Sequence, residues 1–296
     1  MIVIFGASGN TGGEAARQLL SQKQKVRVVG RKKSKLKVFA DQGADCVEAD
    51  LLNSADVSNA LRGADAAYFL IPPNFAVADF RQYQKDITAT LGSALASSSC
   101  RSAVMLSSMG AEHPAGTGPV VGLYELEQRL KQISGLNLLA IRAGYFMQNF
   151  LSNIAMVHSM GILGTPAAAE APLTLIDAYD IGRYAAKRLS RRDFTGFEVV
   201  NLMGPAPVTL AEVTKAIGAA IGKPDLSYVQ FSYDDARKGM VSAGLPEQMA
   251  SLYMEMYQGA ARGLLAPQAG TPLVNAQTSF ASFARVFAAA YKAAAA

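Results

Sequence analysis

The segment Ile2-Val-Ile-Phe-Gly-Ala-Ser-Gly-Asn-Thr-Gly12 decides the fold. A short apolar run breaks into glycines spaced three and three, then opens a helix-length stretch. That order describes the first strand-turn-helix unit of a dinucleotide-binding sheet. Gly6 permits the tight turn off the strand, Gly9 lets backbone approach a pyrophosphate, and Gly12 lets the helix pack on the sheet. The helix start offers unpaired N–H groups and a partial positive charge to phosphates. Ser8, Asn10 and Thr11 are expected to add side-chain donors.

The next strand, 26–29, runs into Gly30-Arg-Lys-Lys-Ser-Lys35, nineteen residues past Gly12. A site for NAD wants a carboxylate here for the ribose 2′-hydroxyl, whereas a 2′-phosphate needs cations. No acidic residue stands between Gly30 and Ala40. Arg31 and Lys35 are therefore expected to clamp a 2′-phosphate, with Lys32 and Lys33 as alternates, and the cofactor is expected to be NADP(H). Asp50, after a short strand at 46–48, is placed to meet the adenine amino group, with Leu51 beside it. Leu70, Ile71 and Pro72 leave a further strand where the order of strands reverses, and their backbone is expected to border the adenosine.

Apolar runs at 2–5, 26–29, 66–71, 103–106 and 137–141 suit strands buried on both faces of a parallel sheet. Helix-length stretches around 11–22, 34–41, 54–62, 76–98 and 120–134 alternate with them, which implies right-handed crossovers. The expected class is α/β: a Rossmann doubly wound parallel sheet over 1–150, then a smaller, mostly helical substrate lobe over 151–296. Strand candidates at 172–176 and 197–202 should extend the sheet or form a small parallel pair. The alanine-rich tail at 288–296 reads as no more than a frayed helix end.

In the 296 residues, half are hydrophobic and 17% charged, which argues against disorder. No apolar run reaches the roughly 18 residues a membrane span needs, and the N-terminus begins on a strand rather than a signal peptide. Cys46 and Cys100 are too few for a disulfide framework or a zinc site. The net charge of +5 has no nucleic-acid motif beside it. The expectation is a cytoplasmic monomer or homodimer acting on a small aromatic substrate, with no nucleic-acid or membrane partner. His113 falls in a Gly/Pro-rich loop that could form a lid, and His158 near a helix end, as a cap or core residue.

GASGNTG at 6–12, GRKKSK at 30–35, DLLN at 50–53 and FLIPPN at 69–74 together resemble the NmrA-like branch of the atypical short-chain dehydrogenases. MLSSMGA at 105–111, SGLNLLAIRAGYFMQN at 134–149 and DAYDIGRYAA at 177–186 continue the likeness, which covers roughly 1–262. The 244–257 stretch is most similar to NAD(P)H-dependent reductases of quinones, triphenylmethane dyes and azo dyes, which use no flavin; the branch also holds NADP-sensing regulators. The resemblance implies cofactor contacts at the glycine turn, Arg31, Lys35, Asp50, the 70–72 backbone and Gly144-Tyr145-Phe146. A substrate wall is expected from Phe75, Met109, Phe146, Asn149, Tyr233 and Tyr257.

The usual Tyr-x-x-x-Lys pair of short-chain dehydrogenases is missing: Tyr124 is followed four residues later by Gln128. A second lysine position, used by ether-reducing relatives, is also unfilled, since Leu123 stands four before Glu127. Tyr124, Ser107 and Ser108 remain as candidate proton donors. Without the pair, alcohol–ketone chemistry is disfavoured, and an already electrophilic acceptor such as a quinone, dye cation or azo bond is favoured. The expected activity is NADPH-dependent reduction of such an acceptor without flavin or metal; the alternative is a sensor that binds NADP(H) and catalyses nothing.

Overall fold

The computed structural model describes residues 1–294. The first half alternates strands and helices in the expected order. β1 (Ile2–Phe5), α1 (Asn10–Ser21), β2 (Val26–Gly30), α2 (Lys37–Ala40), β3 (Asp45–Glu48) and α3 (Ser54–Ala60) come first. β4 (Ala66–Phe69), α4 (Phe80–Ser97), β5 (Ser102–Ser108), α5 (Val121–Lys131) and β6 (Asn137–Ala143) follow. Then come β7 (Tyr145–Phe146), a 3-10 stretch at Met147–Asn153, α6 (Ile154–Met160), β8 (Ile162–Thr165), β9 (Pro172–Leu173), β10 (Leu175–Ile176) and α7 (Ala178–Arg191). β11 (Phe197–Met203), β12 (Val208–Thr209), α8 (Leu210–Ile221), β13 (Ser227–Gln230), α9 (Tyr233–Ser242), α10 (Glu247–Ala261), β14 (Leu273–Asn275) and α11 (Phe280–Ala293) complete the chain.

Eight strands form one sheet in the order β14-β11-β6-β5-β4-β1-β2-β3. Every pairing in it is parallel. The order reverses between β1 and β4, so a crevice opens beyond the carboxyl ends of these two strands, where a doubly wound sheet takes its ligand. The strands bury both faces, which is why they read as continuous apolar runs. One face packs against α3, α4 and α5 through Ile87, Leu91 and Leu126. The other packs against α1 and α7 through Leu19, Ile181 and Leu189.

A third core, around Phe150, Leu163, Ile217, Phe283 and Phe287, lies outside the sheet. It is built from the 147–163 segment, α8 and α11. Of the two late strand candidates, 197–202 joins the central sheet as β11 beside β6. The other, 172–176, divides: β10 lies parallel to β7, and β9 antiparallel to β12. The segment beyond 150 therefore supplies two strands and one covering helix to the sheet, as well as the third core.

Two features depart from the sequence expectation. The 288–296 tail is not a frayed end: through residue 293 it belongs to α11, a full helix that buries Phe280, Phe283, Phe287 and Tyr291. These aromatics recur at three- and four-residue steps, an amphipathic stripe that the alanine content hides. Residues 295–296 lie outside the described residues. β8, β13 and β14 were not anticipated, because each is short and bounded by glycine or proline that reads as loop.

Candidate active site

One end of the crevice, where the pyrophosphate is expected, is the turn between β1 and α1. Gly6 holds a left-handed φ of +67°. A Cβ on Gly12 would lie 2.6 Å from the Gly6 carbonyl oxygen, so only glycine lets α1 start this close to β1. Gly9 is the N-cap; no side chain caps α1, and its first turn carries no acid. The amides of Asn10, Thr11 and Gly12 have no acceptor among the described residues. A row of open donors at a helix start is an anion site. Ser8 and Asn10 are exposed at its mouth. Thr11 departs from its expected role: it is buried, and its Oγ1 accepts a 2.9 Å hydrogen bond from the Tyr68 hydroxyl. It faces the core and leaves only its amide to the turn.

The second end, where the adenosine is expected, comprises the 31–35 loop, Asp50 and the exit from β4. Arg31, Lys32, Lys33 and Lys35 are all exposed, and none of their side chains has a hydrogen-bond or carboxylate partner among the described residues. Glu48, at the end of β3, fixes the loop by accepting the Lys33 amide at 2.8 Å. Asp50 turns one carboxylate oxygen onto the Leu52 amide at 3.0 Å. Asn53, not Asp50, caps α3, so Asp50 keeps its second oxygen. The Tyr83 hydroxyl donates to the Pro72 carbonyl at 3.2 Å, and both Arg31 and Asp50 act on it electrostatically. Arg31, Asp50 and Pro72 thus meet around Tyr83. Tyr83 itself was not foreseen: inside a helical stretch its spacing reads as core.

The third end lies past β5 and β6. A Cβ on Gly144 would sit 2.2 Å from the Thr174 carbonyl oxygen, so glycine lets the 172–176 segment cross the strand end. The Gly144 and Tyr145 amides are used internally, on the carbonyls of Leu202 and Thr174. What this segment presents to a ligand is therefore its rings. Tyr145 sits edge-on to Phe150 with centroids 5.7 Å apart. Asn149, Tyr253 and Tyr257 are its polar neighbours. Tyr228 completes the group around Tyr257. Tyr145, Tyr253 and Tyr257 remain partly accessible while densely surrounded by protein, as residues lining a cleft are. Burial raises all three phenols, Tyr145 to about 12, so each stays protonated at neutral pH.

Of the expected substrate residues, the structure brings Asn149 and Tyr257 to this cleft, and Phe146 flanks it on the α1 side of the sheet. Met109 is 2% exposed and accepts a contact from Thr174 Oγ1 at 3.3 Å, so it lies beneath the cleft. Phe75 is 47% exposed on the loop after β4. Tyr233 opens α9, and the Tyr228 hydroxyl donates to the Ala167 carbonyl at 2.6 Å. Tyr253 and Tyr228 were missed because nothing in a lone sequence separates them from core aromatics.

The expected proton donors fare differently. Ser107 is buried, and its hydroxyl is committed to Glu127 Oε1 at 2.6 Å. Ser108 gives its hydroxyl hydrogen to the Met109 carbonyl at 2.9 Å. Tyr124 lies off the buried face of α5, which carries Gly122, Leu126, Glu127 and Leu130. Where a lysine would have pointed at the strand ends, Glu127 does so instead. It is bound by Arg142 of β6, Nε at 3.1 Å to Oε1 and a terminal nitrogen at 2.7 Å to Oε2. The other end of Arg142 reaches Glu112 at 3.0 Å and Gln268 at 2.8 Å. This buried network fastens the 109–119 and 262–272 loops to the sheet, and each charge in it is matched by hydrogen bonds. His113 stands 3.7 Å from Glu112. His158 Nε2 meets the Tyr291 carbonyl at 3.0 Å, and its ring stacks on that of Tyr291, a packing role against α11.

Comparison with known proteins agrees with this architecture. The NAD(P)H azoreductase of Xenophilus azovorans is 29% identical over 299 residues, covering 99% of this chain and 100% of that one. The NADPH-dependent quinone oxidoreductase of Escherichia coli, solved in complex with NADPH, superposes with a TM-score of 0.80 at 22% identity, over 96% of this chain and 98% of that one. The Citrobacter sp. triphenylmethane reductase complexed with NADP(H) gives a TM-score of 0.80 at 18% identity, over 97% and 99%. These two structures share the fold. The NmrA-like family model matches residues 1–263, and the chain belongs to that family.

Proposed function

We propose that this chain is an NADP(H)-dependent, flavin-free reductase of flat aromatic electrophiles: azo compounds, quinones or triphenylmethane dyes. The observation that carries the reading is what gathers at the carboxyl ends of one parallel sheet. An unpaired cationic loop follows β2, an uncapped helix N-terminus follows β1, and an aromatic segment follows β6. The residues fit the cofactor: Gly6, Gly9 and Gly12 leave room, the α1 amides face the pyrophosphate, and Arg31 with Lys35 meets the 2′-phosphate. Ser8, Asn10, Asp50, Leu51, Leu70, Ile71 and Pro72 border the remainder, with Gly144, Tyr145 and Phe146 beside the nicotinamide. Bound there, NADPH supplies a hydride. The chain's own part is to hold it against an acceptor and keep water from the ring face. The names of the azoreductase and quinone-reductase relatives support the acceptor class.

The test is NADPH consumption, followed by absorbance, with a panel of azo dyes, quinones and triphenylmethane dyes and no added flavin. Turnover with at least one class is expected. Tight NADPH binding with no turnover of any acceptor overturns the reading and leaves the non-catalytic NADP(H) sensor, which has no need of a substrate cleft.

A further inference from the structure

The 110–119 loop, expected as a lid, is in the structure half of a socket for α10, and the start of α4 is the other half. Both halves leave the carboxyl edge of the sheet, the loop from β5 and α4 from the β4 exit. A helix seated on them therefore walls the crevice beyond these strands. In the first turn of α10, Gln248 Oε1 accepts the Phe80 amide at 2.6 Å, and its Nε2 donates to Asp79 Oδ1 at 3.0 Å. Phe80 is the first residue of α4, so its amide has no acceptor within the helix. The same Asp79 oxygen caps α4 on the Gln82 amide at 2.9 Å. Two turns on, Glu255 Oε1 accepts the Gly116 amide at 2.9 Å. A Cβ on Gly118 would lie 2.0 Å from the Leu252 carbonyl oxygen, and one on Gly259 would lie 2.3 Å from that of Gly116. Backbone meets backbone at both places. Gln248, Leu252, Glu255 and Gly259 are spaced four, three and four, which is one face of a helix. Tyr253 and Tyr257 stand on another face and are half-buried.

We propose that Gln248 and Glu255 are positioning residues of the acceptor site: from one face of α10 they clasp the segments leaving β4 and β5, and so hold Tyr253 and Tyr257 as a fixed wall. The inference rests on the reductase reading above and deepens it, because this wall sets the room left for a flat acceptor. Neither residue touches the reacting atoms. Each accepts a backbone amide that has no other acceptor among the described residues. Removing the acceptor leaves that amide unpaired, and the helix loses its register on the sheet edge. A wall fixed before the acceptor arrives needs little ordering when it binds, so the clasps act on acceptor affinity. The glycine turn and the Arg31 loop belong to other elements, so cofactor affinity is left alone.

The experiment measures NADPH affinity, amide hydrogen exchange, and KM and kcat for the acceptor turned over fastest in the panel above. It compares the native chain with Gln248→Met, Glu255→Leu and Glu255→Gln. Gln248→Met and Glu255→Leu should each raise the acceptor KM about five- to tenfold, with kcat and NADPH affinity within about twofold of native. Glu255→Gln keeps an oxygen for the Gly116 amide and should hold KM within about twofold. Amides of 250–257 should exchange about tenfold faster in the two disrupted variants, with those of β5 unchanged. Should one disrupted variant fail to fold, the other carries the same comparison. An unmoved KM, equal losses of NADPH and acceptor affinity, unchanged exchange, or loss of folding in both variants overturns the assignment. A native chain that turns over no acceptor overturns the reductase reading itself, and the exchange result still shows whether the clasps hold α10.

Discussion

Arg31 is the residue proposed to decide which nucleotide this crevice prefers. Its guanidinium is exposed and has no carboxylate partner among the described residues, so nothing competes with a phosphate for it. Arg31→Ala should cost about 1.5–3 kcal/mol of NADPH binding, roughly 10- to 100-fold, and leave NADH within about twofold. Fluorescence titration with both nucleotides checks this; equal losses would remove the 2′-phosphate assignment. At this scale the sequence was most legible where covalent chemistry alone settles a role. Gly6 and Gly12 act by lacking a Cβ, and the spacing of Arg31 from Gly12 fixes its place. It was least legible for hydroxyls. Ser107, Ser108 and Tyr124 carry the same kind of group, and only their surroundings in the fold reveal which proton is committed.

Among elements, the bolt between α5 and β6 offers a clear measurement. Glu127 and Arg142 are both buried and meet in a two-point ion pair. Glu127→Gln should destabilise the chain by up to about 3–5 kcal/mol, because Arg142 loses its two-point partner and keeps only Glu112. Glu127→Leu combined with Arg142→Met should recover part of that loss, since the burial penalty of both charges goes while Glu112 and the Ser107 hydroxyl lose their partners. Chemical denaturation of the single and double variants reads the difference. α11 makes a second case: Phe287 is fully buried in the third core, so Phe287→Ala should cost about 3–5 kcal/mol in the same assay. Strands β1, β2, β4, β5 and β6 were legible because strands covered on both faces are unbroken apolar runs. β8, β13 and β14 were not, since three or four residues bounded by glycine or proline read as loop.

For the whole molecule, the buried hydroxyls and thiol set an alkaline limit. Tyr68, Tyr145 and Tyr257 are raised by burial, Tyr145 to about 12, and Cys100 is raised to about 11. These groups are neutral in both folded and unfolded chains below their ordinary values of 10.0 and 9.0, so stability there is independent of them. Above those values the unfolded chain ionises first, and stability should fall between about pH 9 and 12. Denaturation midpoints across that range test it; a flat profile would contradict the burial of these groups. The doubly wound order could be read in advance because it follows from strand–helix alternation. The third core could not, because it joins the separate segments 147–163, 210–221 and 280–293, which share no local pattern.

Glutamate and lysine codons differ by a single base, so position 127 is one mutation away from the lysine that ether-reducing relatives are expected to carry there. Arg142 closes that route. A lysine at 127 would set an ammonium against a guanidinium that is itself only 5% exposed, and would leave Arg142 with Glu112 as its one carboxylate partner. The relay can return only if strand β6 changes with or before the helix. Its absence is therefore held in place by a neighbour rather than by mutational distance, and descendants of this chain have more room to vary their phenols than to regain their lysine.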